Sequence, residues 1–205
     1  MRTASAALAL VLVSAGWSAL AAQDGERARA ALAPVTSDVI NHPLTTSSAA
    51  ARMHFLEGVR ELDLGRNIDA NVHFRAAVTA DPTFAFAYLN VANTANSTVE
   101  FKTNLALAEQ NAAGASEAEQ LQIQMARKGF DNDLAGQLAL GQQLVAKVPE
   151  SPRAWLALAG AQAALNQNAD ARASLAKALA VAPRMYAAHV ALGRSPELLQ
   201  QAETS

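Results

Sequence analysis

From residue 48 onward, the apolar residues of this chain recur with the 3.6-residue period of an α-helix. Prolines stand at positions 82, 149, 152, 183 and 196, and none of them lies inside a periodic run. Because proline interrupts a helix interior, these positions divide the pattern into separate elements. The pattern predicts an all-α protein with helices at 48–64, 68–80, 84–95, 98–113, 117–129, 132–148, 152–165, 169–181 and 185–193, and a short further helix at 196–203.

Serine followed three residues later by glutamate marks two of the predicted helix starts. In this capping box the serine oxygen accepts a backbone hydrogen bond, and the glutamate bonds back to the cap. The pattern occurs at Ser97 with Glu100 and at Ser116 with Glu119. Further caps are predicted at Ser151 before Pro152, at Asn67 and at Asn168.

Two stretches of the chain repeat the same spacing of small and large residues. Gly58 and Ala159 are each followed 24 residues later by a proline, at Pro82 and Pro183. Each stretch also has two alanines seven residues apart with a large apolar residue between them. The residues that we expect to pack the paired helices are Gly58, Ala70, Phe74, Ala77, Trp155, Ala159, Ala171 and Ala178.

This pattern resembles the tetratricopeptide repeat, whose units of about 34 residues each form one helical hairpin. The resemblance covers residues 48–195 and is strongest at 51–84 and 152–185. It implies a right-handed superhelical solenoid of about four to four and a half hairpins. The implied units are 51–84, 85–117, 118–151 and 152–185, with a partial unit from 186.

The resemblance also implies that the first helix of each hairpin lines a concave groove where partners bind. Asn90, Asn93 and Asn96 recur every three residues and predict a polar stripe suited to a peptide backbone, unless these amides merely face water. The phenylalanines could offer apolar pockets or pack in the core. The groove residues carried over are Arg52, Phe55, Phe86, Asn90, Asn93, Asn96, Gln122 and Arg153.

Composition narrows the chemistry. The 205 residues contain no cysteine, which excludes disulfides and thiolate chemistry. The net charge is −2, and the sequence has no cluster of basic residues of the kind that binds nucleic acid. His42, His54, His73 and His189 lack metal-ligand spacing, although His54 and His73 could approach each other across one hairpin. Asp131 and Asp133 lack the pattern of a calcium loop and are better explained as helix caps. We therefore predict no metal, no cofactor and no enzymatic activity.

The N-terminus has the pattern of an export signal. Arg2 precedes an apolar run at 6–15, and Ala19 and Ala21 fit the small residues that a signal peptidase accepts. We predict a signal peptide at 1–21 and an exported, periplasmic location, with an uncleaved membrane anchor as the alternative. Residues 22–47 are predicted to be a mostly irregular linker, and 196–205 a C-terminal cap or tail.

These features together favour a non-enzymatic scaffold that binds an extended segment of another protein in its groove. The alternative is a subunit that binds a small molecule or an envelope polymer and assists a separate enzyme. After removal of the signal, no membrane-spanning segment is predicted.

Overall fold

A computed structural model describes residues 44–193 of the chain. Within that range the protein is all-helical, as predicted, and its helix boundaries agree with the predicted ones to within two residues. The predicted signal at 1–21, residues 22–43 of the predicted linker, His42, and the predicted helix and tail from 196 lie outside the described residues. The helices are α1 (Ala49–Asp63), α2 (Asn67–Ala80), α3 (Ala85–Asn93), α4 (Thr98–Asn111), α5 (Glu117–Phe130), α6 (Leu134–Lys147), α7 (Pro152–Ala164), α8 (Asn168–Val181) and α9 (Tyr186–Ala191), with a 3₁₀ turn at Ala112–Gly114.

The first eight helices pack as four sequential hairpins, α1–α2, α3–α4, α5–α6 and α7–α8, and each hairpin contacts the next. The short helix α9 packs against α8. None of the helices between residues 44 and 193 is both long enough and apolar enough to cross a membrane.

The predicted helix caps are partly confirmed. Ser116 and Glu119 form the complete capping box at the start of α5. The Ser97 oxygen accepts a hydrogen bond from the Glu100 amide, but the Glu100 carboxylate pairs with Arg75 of α2 instead of returning to the cap. Asp133 caps α6 by accepting a hydrogen bond from the amide of Gly136, 2.9 Å away.

Of the remaining cap predictions, those at Asn67 and Asn168 are wrong by one residue, and that at Ser151 is confirmed in position only. Asn67 and Asn168 are the first residues inside their helices, and Arg66 and Gln167 occupy the cap positions without a side-chain hydrogen bond that caps the helix. Ser151 does stand at the cap position before Pro152, yet its side chain makes no capping hydrogen bond.

Three hairpins reverse direction through the same turn. Gly65, Asn132 and Asn166 each follow the end of a first helix with φ near +60 to +74°. In each turn, hydrogen bonds run from this residue and from the next one back to the last helical turn, which is the Schellman arrangement. Glycine and asparagine tolerate this left-handed conformation, which explains why the loop residues are of these two types.

Small residues lie where the paired helices approach each other. Gly58 of α1 faces the ring of Phe74 on α2 so closely that a Cβ atom would lie 2.6 Å from Phe74 Cε1. The alanines of the repeat pattern, namely Ala70, Ala77, Ala159, Ala171 and Ala178, are all buried. Trp155 is half-buried, donates its indole N–H to the carbonyl of Pro149 at 2.7 Å and lies beneath the ammonium group of Lys177.

The segment 44–47, which precedes α1, is anchored to the third hairpin. The amide and hydroxyl of Thr45 donate to the carboxylate of Glu119, which is fully buried at the start of α5. Arg52 donates from its guanidinium group to the carbonyls of Leu44 and Thr46. These bonds fix the leading segment across the first and third hairpins.

Candidate functional site

A cavity of about 210 Å³, here called the groove cavity, lies among the first helices of all four hairpins. Helices α1, α3, α5 and α7 each contribute to its wall, so the repeating hairpin architecture positions every side chain in it. The lining residues are Phe55, Val59, Leu62, Phe86, Leu89, Asn90, Asn93, Thr94, Gln122, Arg153, Leu156 and Ala157.

Six of the eight groove residues predicted from the sequence line this cavity: Phe55, Phe86, Asn90, Asn93, Gln122 and Arg153. Arg52 and Asn96 do not. Arg52 is exposed at the start of α1, where its guanidinium group is engaged with the leading segment. The structure thus brings side chains from positions 55 to 153 to one place.

The predicted stripe of three asparagines is wrong at its third member. Helix α3 ends at Asn93, so Asn96 lies in the following loop and is exposed. At the residue after this helix end, the Thr94 hydroxyl donates to the carbonyl of Asn90 at 2.7 Å and in turn accepts from Asn71 of α2 at 2.9 Å. The bond from a different helix could not be inferred from the local sequence.

The aromatic residues of the site belong to the core as well as to the cavity wall. Phe55 is fully buried and Phe86 is almost fully buried. The Phe55 ring packs against those of Phe74, Phe84 and Phe86 at centroid distances of 5.1 to 5.4 Å. This cluster forms a rigid apolar floor, because each ring is held by its neighbours.

The polar side of the cavity is formed by amides and one guanidinium group. Asn90 donates to the carbonyl of Phe86 within its own helix at 2.8 Å, which leaves its amide oxygen without a hydrogen bond from the described residues. Asn93 is exposed at the helix end, and its amide makes no hydrogen bond within residues 44–193. Gln122 donates to the carbonyl of Ala118. Amides of this kind can both donate to and accept from a peptide backbone.

Among the described residues, Arg153 is the only charged one in the cavity wall, and it pairs with Asp63 at the end of α1. Arg153 Nη2 lies 2.5 Å from Asp63 Oδ1, and the two side chains are only 17% and 9% exposed. Burial raises the pKa of Asp63 above its ordinary value, although the adjacent Arg153 acts to lower it. Sequence reasoning identified Arg153 but not Asp63, because nothing in the local sequence of Asp63 distinguishes it.

A second, larger cleft of about 710 Å³ lies beside the leading segment and is lined by a mixture of hydroxyl, amide and apolar groups, with Asp81 at its wall. Thr46 and Thr83 both donate to Asp81. Burial acts to raise the pKa of Asp81, but these hydrogen bonds outweigh it and hold the pKa below its ordinary value. Within this cleft, the hydroxyl groups of Thr46 and Thr83 are therefore engaged with Asp81.

The histidines within the described residues have no arrangement suited to metal binding. The rings of His54 and His73 do stack across the first hairpin, with centroids 6.2 Å apart. His189 is buried, and its Nε2 lies 2.8 Å from the carbonyl of Pro183. Between residues 44 and 193, no group of three or more carboxylate or imidazole side chains could hold a metal ion.

Comparison of the chain with protein-family models, with curated proteins and with solved structures finds no match.

Proposed function

We propose that this chain is a non-catalytic scaffold of the tetratricopeptide-repeat type, and that an extended segment of a partner protein binds along its groove cavity. The observation that carries this proposal is the convergence of Phe55, Phe86, Asn90, Asn93, Gln122 and Arg153 on one cavity. These residues come from four separate hairpins, and the repeat pattern of the sequence predicts all six of them as groove residues.

The chemistry of the cavity suits a peptide better than a rigid polar ligand. Its floor is a packed aromatic cluster, which would receive an apolar side chain. Its rim carries the amides of Asn90 and Asn93, which would bond the backbone of an extended chain. An apolar floor beside a row of amides can thus bind one apolar side chain of the partner segment and the polar backbone on either side of it.

The proposed setting is outside the cytoplasm, in the periplasm. Support comes from the sequence alone, from Arg2, the apolar run at 6–15 and the small residues Ala19 and Ala21. N-terminal sequencing of the exported protein tests this part. A new N-terminus at residue 22 is expected, and an intact residue 1 on a membrane-bound protein would favour an uncleaved anchor.

Replacement of the two cavity asparagines tests the binding proposal. Asn90→Ala with Asn93→Ala removes both amides without changing the aromatic floor. We expect affinity capture from periplasmic extract, followed by mass spectrometry, to recover at least about tenfold less of the specific partner, because two peptide hydrogen bonds are lost. Unchanged recovery would contradict the proposal.

The chain offers a matched control for this variant. Asn104 of α4 donates to the carbonyl of Glu100 at 2.9 Å, the same local bond that Asn90 makes in α3. Asn96 is exposed, and neither Asn96 nor Asn104 lines the groove cavity. The double variant Asn96→Ala with Asn104→Ala removes equivalent chemistry elsewhere and should leave partner recovery intact.

The larger cleft beside the leading segment supports a second candidate function, namely binding of a small molecule or an envelope polymer for a separate enzyme. Its volume of about 710 Å³ lies within the ~300–1,000 Å³ typical of ligand pockets, and the hydroxyl and amide groups of its mixed lining suit a polyhydroxylated ligand. A thermal-shift screen with cell-wall glycans tests it. A rise in melting temperature that Thr83→Val abolishes would favour this candidate over the peptide scaffold.

A further inference from the structure

The first and fourth hairpins touch each other directly at the edge of the groove cavity. The Asp63–Arg153 pair joins the end of α1 to the start of α7 across 90 residues of sequence. Beside it, α9 also contacts α1, and the ring of Tyr186 lies within 2.9 Å of the position that a Cβ atom on Gly65 would occupy. In a repeat array each unit ordinarily contacts only its neighbours, so this contact bridges two edges that the chain order keeps apart.

This bridge closes the groove cavity on one side. Leu62 and Arg153 both line the cavity, and Asp63 directly follows Leu62. With its two edges joined in this way, the cavity has a volume of about 210 Å³, which is below the ~300–1,000 Å³ usual for small-molecule sites. It can therefore accept about one side chain, whereas an extended segment several residues long needs the two edges to separate.

The ion pair is poorly satisfied in its closed position. Asp63 Oδ2 and Arg153 Nε are both buried and have no hydrogen-bond partner among the described residues. Unpartnered buried polar atoms oppose folding into that arrangement, and a buried ion pair gains little net stability once the loss of hydration is included. The raised pKa of Asp63 agrees with this, because burial outweighs the attraction of Arg153. Opening would return both groups to water.

We propose that the Asp63–Arg153 pair is a latch that holds the two edges of the groove cavity together, and that an extended partner segment enters only when this pair separates. The entry of a partner segment rests on the proposed function, whereas the separation of the pair is a property of the free protein. When the latch opens, Asp63 and Arg153 become exposed on opposite edges of the groove, where the entering segment would lie between them.

A single introduced thiol measures this opening, because the chain contains no cysteine. Ala157→Cys places a thiol in the cavity wall on α7. We expect slow reaction with a bulky fluorescent maleimide in the otherwise unchanged protein. Adding Asp63→Asn, which keeps the side-chain shape and removes its charge, should accelerate the reaction about tenfold or more, because Arg153 is then left buried without an opposite charge as long as the two edges stay together. Equal rates with and without Asp63→Asn would overturn the proposal.

Two control thiols separate latch opening from general destabilisation. Ala163→Cys lies at the exposed end of the same helix and should react rapidly in both backgrounds. Ala178→Cys lies in the fully buried core of the fourth hairpin and should react only through unfolding. If Asp63→Asn accelerates the thiols at 157 and 178 by the same factor, the variant has merely loosened the fold and the latch is refuted.

A reversed pair and the partner assay complete the test. Asp63→Arg with Arg153→Asp restores opposite charges across the gap and should slow the reaction at position 157 again, whereas continued rapid reaction would contradict a latch held by this pair. The thiol measurement needs no partner. Faster reaction of the thiol at 157 in the Asp63→Asn background, together with unchanged partner capture by Asn90→Ala/Asn93→Ala, would therefore support the latch and contradict the proposed function.

Discussion

Gly58 offers the sharpest test of how the paired helices fit together. Gly58→Ala would place a methyl carbon at 2.6, 2.8 and 3.0 Å from three carbon atoms of the Phe74 ring. Carbon atoms normally approach to about 3.5–4.0 Å, so the ring would have to retreat by roughly 1 Å. Phe74 is fully buried and packs on Phe55 with centroids 5.4 Å apart, so it has no free space to enter.

The expected cost follows from two opposing effects. Overpacking a core in this way costs about 1–3 kcal/mol. Replacing a glycine inside a helix by alanine recovers about 1 kcal/mol through helix propensity. Gly160 provides the matched control, because it also lies inside a helix, but no atom lies within 4 Å of its Cβ position. We therefore expect Gly58→Ala to be less stable than Gly160→Ala by about 1–3 kcal/mol.

Urea denaturation followed by circular dichroism measures this difference, with unchanged m-values as the condition for comparing the two variants. A second measurement tests the contact itself. In a Phe74→Leu background the smaller side chain leaves room, so the penalty of Gly58→Ala should fall by about 1 kcal/mol or more. If both glycine variants gain the same stability, or if the Phe74→Leu background changes nothing, the account of helix pairing is incorrect.

Two further predictions concern contacts between hairpins. Arg127 of α5 donates two hydrogen bonds of 2.7 Å to Glu109 of α4 and thereby holds the pKa of Glu109 below its ordinary value. The pair therefore stabilises the fold at pH values above the ordinary pKa of glutamate, and this contribution disappears as the pH falls through the lower pKa of the folded state. Glu109→Gln should thus reduce the free energy of unfolding by up to about 1 kcal/mol at pH 7, a small value because the pair is one-third exposed. Urea titrations should show that the difference in stability between this variant and the unchanged protein vanishes in acid. A difference that stays constant with pH would contradict the assignment. Thr45→Val removes the hydroxyl donor to the buried Glu119 and should lower the free energy of unfolding by about 1.5–3 kcal/mol in the same assay. The control is Thr79→Val: the Thr79 hydroxyl donates to a carbonyl in an exposed turn of α2, so its loss should cost less than about 0.5 kcal/mol. Equal costs for the two threonines would mean that the leading segment does not stabilise the third hairpin.

Features that depend on nearby residues could be predicted from the sequence. The helices follow from the apolar period and the prolines, and the capping box at Ser116 follows from two side chains in one turn. The burial of Ala70 and Ala171 also agrees with the repeat spacing, since equivalent positions of equivalent hairpins meet equivalent neighbours. These features share one property, which is that the interacting groups lie within a single hairpin.

Features that depend on other helices were missed. Helix α3 ends at Asn93, where the next residue, Thr94, bonds to Asn71 of the preceding hairpin, and the third asparagine of the predicted stripe therefore lies in a loop. The Asp63–Arg153 pair depends on how four successive hairpins are rotated relative to one another, and small changes in each packing angle would separate the two residues. Such a contact leaves no trace in the spacing of residues along the chain.

The central claim is that a partner segment lies in the groove cavity formed by the first helices, and site-specific photo-crosslinking tests it most directly. A photoreactive phenylalanine analogue at position 93, in the cavity wall, is compared with one at position 96, three residues away and outside the cavity. We expect position 93 to crosslink one defined peptide of one periplasmic protein, and position 96 to give no such product. Crosslinks of equal yield from both positions, or none from position 93 while the intact complex is still captured, would place the partner elsewhere on the protein.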